Sequence, residues 1–65
     1  MKNNIEQFID KNGLIALLEV IQDVCMDKAA HIEESYSDKQ LVEKWDKATQ
    51  RIIKAQKEIG KLGIG

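Results

Sequence analysis

The sequence predicts an all-α protein in which a short N-terminal helix is followed by an antiparallel two-helix hairpin. The chain of 65 residues contains no proline, and Lys, Glu, Ala, Leu, Ile and Gln dominate its composition. These residue types favour long, uninterrupted helices. In two long stretches the apolar residues recur every three or four positions, which is the spacing of one face of an α-helix. At this length we expect a single helical domain over residues 1–65.

The first element is a short helix predicted over residues 5–11. Asn4 is a favourable N-cap residue, and Gly13 ends the helix because glycine readily leaves helical backbone angles. Three apolar residues share one face of this helix: Ile5, Phe8 and Ile9. We expect this face to cover part of the next helix.

A second helix is predicted over residues 14–36. Its apolar stripe runs through Leu14, Leu18, Ile21, Cys25, Ala29, Ile32 and Tyr36. At 100° per residue, further apolar residues in the N-terminal half widen the apolar arc to about 240°. These additional residues are Ile15, Leu17, Val20, Val24 and Met26. One neighbouring helix cannot cover an arc of this width.

The third helix is predicted over residues 38–61. Ser37 and Gln40 form a capping-box pattern, in which each side chain bonds the backbone N–H of the other residue. Tyr36 and Leu41 flank this box at the positions of a hydrophobic staple. The pattern predicts Ser37 as the N-cap, and the short connection requires the third helix to fold back along the second.

The third helix carries a heptad stripe of apolar residues: Leu41, Trp45, Ala48, Ile52, Ala55, Ile59 and Leu62. Such a stripe requires a partner helix along its length. Val42, Thr49 and Ile53 widen the apolar arc to about 160°, which again exceeds what one partner covers. We therefore expect two hairpins to form a homodimer, a four-helix bundle. Glycines end the helix and leave a flexible tail over residues 62–65.

Charge is divided unevenly along the chain, although the net charge is only −1. Residues 1–36 hold three basic and seven acidic residues, whereas residues 37–65 hold seven basic and four acidic residues. Two charged rows follow the third helix at heptad spacing: Lys44, Arg51 and Glu58, and Lys47, Lys54 and Lys61. The first row has the spacing of charges that flank a paired helix. The second row could contact phosphates, but a pI of about 5.7 argues against a nucleic-acid partner.

Residues with catalytic or metal-binding chemistry are few. Cys25 lies on the predicted buried stripe, and His31 lies about 120° away around the helix, so the two do not form a catalytic pair. Asp27 and His31 share a face, with Ser35 one turn further along. A di-iron bundle needs glutamate three residues before the histidine, where this chain has Lys28. The sequence predicts no catalytic residue, no cofactor and no metal site.

The sequence also predicts a cytoplasmic protein without a membrane contact. The N-terminus lacks the apolar run of a signal peptide. The most apolar stretch, residues 14–26, is interrupted by Glu19, Gln22 and Asp23, and it is shorter than the roughly 20 apolar residues that span a bilayer.

Residues 24–32 (VCMDKAAHI), with Leu41, Trp45 and Ala48 in the following helix, resemble small uncharacterised all-helical proteins of bacteria and their phages. The resemblance spans about residues 13–55. It implies a small accessory protein. Because that group has no assigned activity, no functional residue is carried over from it.

Together these patterns predict a small, non-enzymatic module for protein–protein interaction, a homodimer that docks on a larger protein of unknown identity. Trp45 is the candidate aromatic contact. The alternative is a small nucleic-acid-associated regulator that uses Lys47, Lys54 and Lys61. An enzyme is the least favoured class, because the chain offers no nucleophile–base pair and little room for a pocket.

Overall fold

The computed structural model describes residues 1–35 and 38–65. This part of the chain forms three helices, α1 (Lys2–Asn12), α2 (Leu14–Ser35) and α3 (Lys39–Gly60), and it contains no strand. The predicted all-α class and the number of helices are confirmed. α2 and α3 pack against each other, whereas α1 contacts α2 and not α3. No helix within the described residues is long and apolar enough to cross a membrane.

Helices α2 and α3 run antiparallel. Gln56 Nε2 donates a hydrogen bond of 2.8 Å to Gln22 Oε1, which places the end of α3 beside the first half of α2. Near the other end, Glu33 shares a surface depression with Lys39, the first residue of α3. Residues later in α2 therefore lie beside residues earlier in α3, and the glutamine pair fixes which positions are level with each other.

The N-cap of α3 is Asp38 and not Ser37. Asp38 Oδ1 accepts a hydrogen bond of 3.1 Å from the backbone N–H of Leu41, which satisfies one of the N–H groups left free at a helix start. The carboxylate also places negative charge at the positive end of the helix dipole. Ser37 and the predicted staple residue Tyr36 lie outside the described residues.

The first helix begins three residues earlier than predicted. Met1 occupies its N-cap position and provides no side-chain hydrogen bond, so Asn4 lies inside the helix rather than capping it. Gly13 separates α1 from α2 as predicted, with φ 95° and ψ 157°, a conformation open essentially only to glycine. Its N–H closes α1 by donating to the Ile9 carbonyl at 2.7 Å.

The C-terminal tail returns to the junction between α1 and α2. A Cβ atom on Gly13 would collide with the carbonyl oxygen of Gly65, and a Cβ atom on Gly65 would lie 2.7 Å from Ile15 Cγ1. Gly63 enables the turn after α3 with φ 74°. Residues 62–65, predicted as a flexible tail, thus place their last residue against the start of α2.

The buried core of the described chain is small. Its four buried residues are Cys25, Ala29 and Ile32 in α2 and Thr49 in α3, so the predicted burial of Cys25 is confirmed. The molecule measures 39 × 26 × 13 Å, with a radius of gyration of 13.8 Å. A compact domain of this length has a radius of gyration of about 11 Å. The helices therefore form a flat, single layer rather than a compact globule.

Candidate interaction face

The contact between α2 and α3, which we call the seam, is centred on Thr49 rather than on the predicted heptad stripe. The Thr49 hydroxyl donates to the Trp45 carbonyl at 2.9 Å, so this polar group is satisfied within α3 and can be buried. Thr49 and Ala29 each lie seven residues from the hydrogen bond between Gln22 and Gln56, so they are at the same level along the hairpin. Because both side chains are small, the two helices can approach each other closely at this level. Helix α2 alone does not cover both ends of the stripe, because Leu41 is 38% exposed and Leu62 68%.

Helix α3 is rotated about its own axis so that Thr49, and not the middle of the heptad stripe, faces α2. One side of the stripe therefore lies beside the seam and not within it. At 100° per residue, Trp45 and Ile52 lie on that flank close to Thr49, and further out the flank carries Leu41, Ala48, Ala55 and Ile59. The other flank of Thr49 carries Val42 and the half-buried Ile53, with Lys39 and Glu43 further out. On α2, one flank of the seam carries Leu17, Ile21 and Val24 together with the exposed Lys28, and Val20 lies further out; the other flank carries Met26 and Glu33.

Both apolar flanks lie on the same side of the hairpin. Glu33 of α2 lines one surface depression together with Lys39 and Val42 of α3, so the flanks that carry these residues share a side. The two remaining flanks must share the opposite side. We call this surface the apolar face, formed by Leu17, Val20, Ile21, Val24, Leu41, Trp45, Ala48, Ile52, Ala55 and Ile59.

Much of the apolar face is open to solvent. Helix α1 packs on α2, which agrees with the expectation that it covers part of this helix, but Val20 is 47%, Ile21 39% and Val24 49% exposed. Trp45, predicted as an aromatic contact, is half-buried at the border between the seam and the apolar face. The aliphatic residues that α3 contributes are mostly half-buried.

A row of residues at heptad spacing, mostly charged, borders this face along the outer edge of each helix. The α3 edge row consists of Lys44, Arg51 and Glu58, and the α2 edge row consists of Val20, Asp27 and Glu34. The lysine row of Lys47, Lys54 and Lys61 is exposed on the outer surface of α3, away from α2. Lys61 Nζ lies 3.7 Å from Glu58 Oε1, so part of the positive charge of the lysine row is locally compensated.

Among the described residues, the buried Cys25 is separate from the depression that Asp27 and His31 share. Cys25 is a buried free thiol, while Asp27 and His31 line a shallow surface depression with Val24 and Lys28. No group of three or more His, Cys, Asp or Glu side chains among the described residues could hold a metal ion.

One result differs from the expectation of little room for a pocket. The surface depression between Glu33 and the start of α3 has a volume of about 340 Å³. Its walls include Glu43 and Lys39. It lies on the side of the hairpin opposite the apolar face.

The chain matches no protein-family model, no curated protein and no solved structure. The resemblance to small helical proteins of bacteria and phages therefore stays a prediction from the sequence.

Proposed function

We propose that this chain is a small, non-enzymatic module for protein–protein interaction that works as a cytoplasmic homodimer. In this proposal the apolar faces of two hairpins pack together as a four-helix bundle. The half-buried Trp45 then contributes to the contact between the two chains. Docking of the dimer on a larger protein, predicted from the sequence, would use surfaces outside the apolar face.

The accessible surface area carries this proposal. A compact monomer of 7.4 kDa is expected to expose about 4,200 Å², whereas this chain exposes 5302 Å². The excess of about 1,100 Å² is larger than the roughly 800 Å² that each partner buries in a standard protein–protein interface. Removing this excess from water therefore requires a contact of the size found in stable dimers.

The small core supports the same proposal. Four buried residues supply little hydrophobic stabilisation, and domains below about 70 residues usually need a disulfide, a metal or self-association. Cys25 is the only cysteine of the chain, so it cannot form an intramolecular disulfide. Self-association through the apolar face provides the missing burial.

Sedimentation equilibrium at micromolar concentration tests the proposal. We expect twice the monomer mass of 7.4 kDa. Val24→Gln should raise the dimer dissociation constant at least about tenfold, because each dimer loses two apolar contacts of roughly 1 kcal/mol or more. A monomer that unfolds cooperatively would contradict the proposal.

Met26→Gln provides the matched control for this experiment. Met26 is 51% exposed and Val24 49%, but the two side chains lie on opposite flanks of α2. We expect Met26→Gln to leave the dissociation constant unchanged. Equal weakening by both variants would show that the apolar face is not the contact surface.

A further inference from the structure

We infer that the two hairpins pack with α2 of one chain across α3 of the other, around a two-fold axis parallel to the helices. This inference rests on the proposed homodimer and specifies which helix meets which. The other symmetric way to bring the apolar faces together uses a two-fold axis that lies between the two faces and is perpendicular to the helices. That alternative pairs α2 with α2 and α3 with α3.

The glutamine pair determines which charges on the two edge rows are level. Asp27 and Arg51 each lie five residues from the Gln22–Gln56 hydrogen bond, toward the connection between α2 and α3. Within one chain these residues lie on the opposite outer edges of the hairpin, where they cannot contact each other.

The remaining members of the rows follow the same register. Glu34 and Lys44 each lie twelve residues from the glutamine pair, toward the connection between α2 and α3. Val20 and Glu58 each lie two residues from it in the other direction. Each acidic residue of the α2 edge row is thus level with a basic residue of the α3 edge row, and Glu58 is level with an uncharged residue.

A two-fold axis parallel to the helices preserves these levels. It places Asp27 beside Arg51 of the partner subunit and Glu34 beside Lys44 of the partner subunit, and symmetry repeats both pairs. An axis across the helices at the level of Asp27 and Arg51 would instead bring each of these two residues against its own copy, so that only Lys44 and Glu58 of the partner subunit would form opposite-charge pairs. Because like charges across an interface disfavour it and opposite charges favour it, the edge rows select the first arrangement.

Cysteine cross-linking distinguishes the two arrangements. Val24 and Ala55 lie within one residue of the same level on the apolar face, so the proposed arrangement brings Val24 of one chain against Ala55 of the partner subunit. We use Cys25→Ala as the background to remove the native thiol. The Val24→Cys/Ala55→Cys double variant should then give a covalent dimer on a non-reducing gel after mild oxidation.

The single variants are the matched controls. In the proposed arrangement the two copies of Val24 lie diagonally across the bundle, beyond the roughly 7 Å between Cα atoms that a disulfide tolerates. Val24→Cys alone should therefore stay monomeric on the gel. Efficient cross-linking of the Val24→Cys single variant would contradict the inferred arrangement but not the homodimer. The same would follow if the double variant were dimeric in sedimentation but did not cross-link. A monomeric wild-type chain in sedimentation would instead overturn the proposed function.

A charge exchange provides a second measurement that needs no cysteine. Asp27→Arg and Arg51→Glu should each raise the dimer dissociation constant by about three- to tenfold, because each creates like-charge neighbours across the interface. The double variant should restore the wild-type value, since it re-forms both pairs with reversed sign. Additive weakening in the double variant would contradict the inferred arrangement.

Discussion

The two halves of α2 show that burial does not follow hydrophobicity alone. The N-terminal half is the most apolar stretch of the chain, yet Val20 is 47% and Val24 49% exposed. The C-terminal half carries more charge and contains all three buried residues of α2, which are Cys25, Ala29 and Ile32. A narrow apolar stripe can be covered by one neighbouring helix, whereas an arc of about 240° cannot. An apolar arc that exceeds one helix face therefore indicates a second contact.

The largest expected effect compares the same substitution in the two halves. Ile32 is 8% exposed and Ile21 39%. Ile32→Ala should lower the free energy of unfolding by about 3 to 4 kcal/mol, because it leaves a cavity in the seam. Ile21→Ala should cost about 1 kcal/mol at concentrations where the chain is monomeric. Urea denaturation followed by circular dichroism measures both values.

Protein concentration sharpens this comparison. If the apolar face forms the dimer contact, the cost of Ile21→Ala should grow as concentration rises into the dimeric range, because binding stabilises the folded chain by mass action. The cost of Ile32→Ala should change less. If the loss of unfolding free energy caused by Ile21→Ala does not depend on protein concentration, the N-terminal half of α2 is not part of the dimer contact.

The next effect concerns the junction at which the apolar half of α2 begins. Gly13→Ala should cost about 2 to 3 kcal/mol, because alanine disfavours this backbone conformation and its Cβ would meet the Gly65 carbonyl. Gly63→Ala is the control, since Gly63 also has a positive φ but an added Cβ there would meet no described atom within 4 Å. We expect about 1 kcal/mol for the control. Equal costs in thermal denaturation would mean that the contact with Gly65 contributes nothing.

A smaller effect is expected at the start of α3, beside the C-terminal half of α2. Asp38→Ala should cost about 1 kcal/mol, because it removes the hydrogen bond to the Leu41 N–H. Asp38→Asn should cost only a few tenths of a kcal/mol, since asparagine caps a helix about as well as aspartate. Chemical denaturation of both variants tests the cap, and a full loss in Asp38→Asn would assign the effect to charge instead.

The smallest effect is expected for the lysine row. Changing Lys47, Lys54 and Lys61 to Gln should alter the free energy of unfolding by less than about 1 kcal/mol, because all three are exposed. The dimer dissociation constant should stay unchanged, since the row lies outside the apolar face. Titration with DNA and RNA at low salt tests the nucleic-acid alternative. A submicromolar, salt-sensitive affinity that the triple variant abolishes would favour that alternative.

The sequence predicted the elements well because the signals for them are local. Gly13 marks a break that few other residues could form, and the apolar spacing of α2 correctly placed Cys25, Ala29 and Ile32 on its buried side. The cap of α3 was misplaced by one residue because Ser37 and Asp38 are both good N-cap residues. Local pattern alone does not distinguish two adjacent caps.

The orientation of α3 could not be predicted in the same way, because it depends on its neighbour. Hydrophobicity alone placed Thr49 at the edge of the stripe, but its small size and its internally satisfied hydroxyl suit the centre of the seam. The apolar face follows from this rotation. The excess of apolar residues was visible in the sequence, whereas the side of the hairpin on which they gather required the structure.

The hydrogen bond between Gln22 and Gln56 favours one alignment of α2 and α3 over all others. Sliding α3 by one turn along α2 would separate the two part-buried amides and break their hydrogen bond, which is unfavourable where water is partly excluded. Replacing both glutamines by leucine would remove that penalty and could raise stability, but it would also make several alignments nearly equal in energy. A single polar pair thus excludes the wrong alignments, much as one buried asparagine fixes the alignment of a coiled coil.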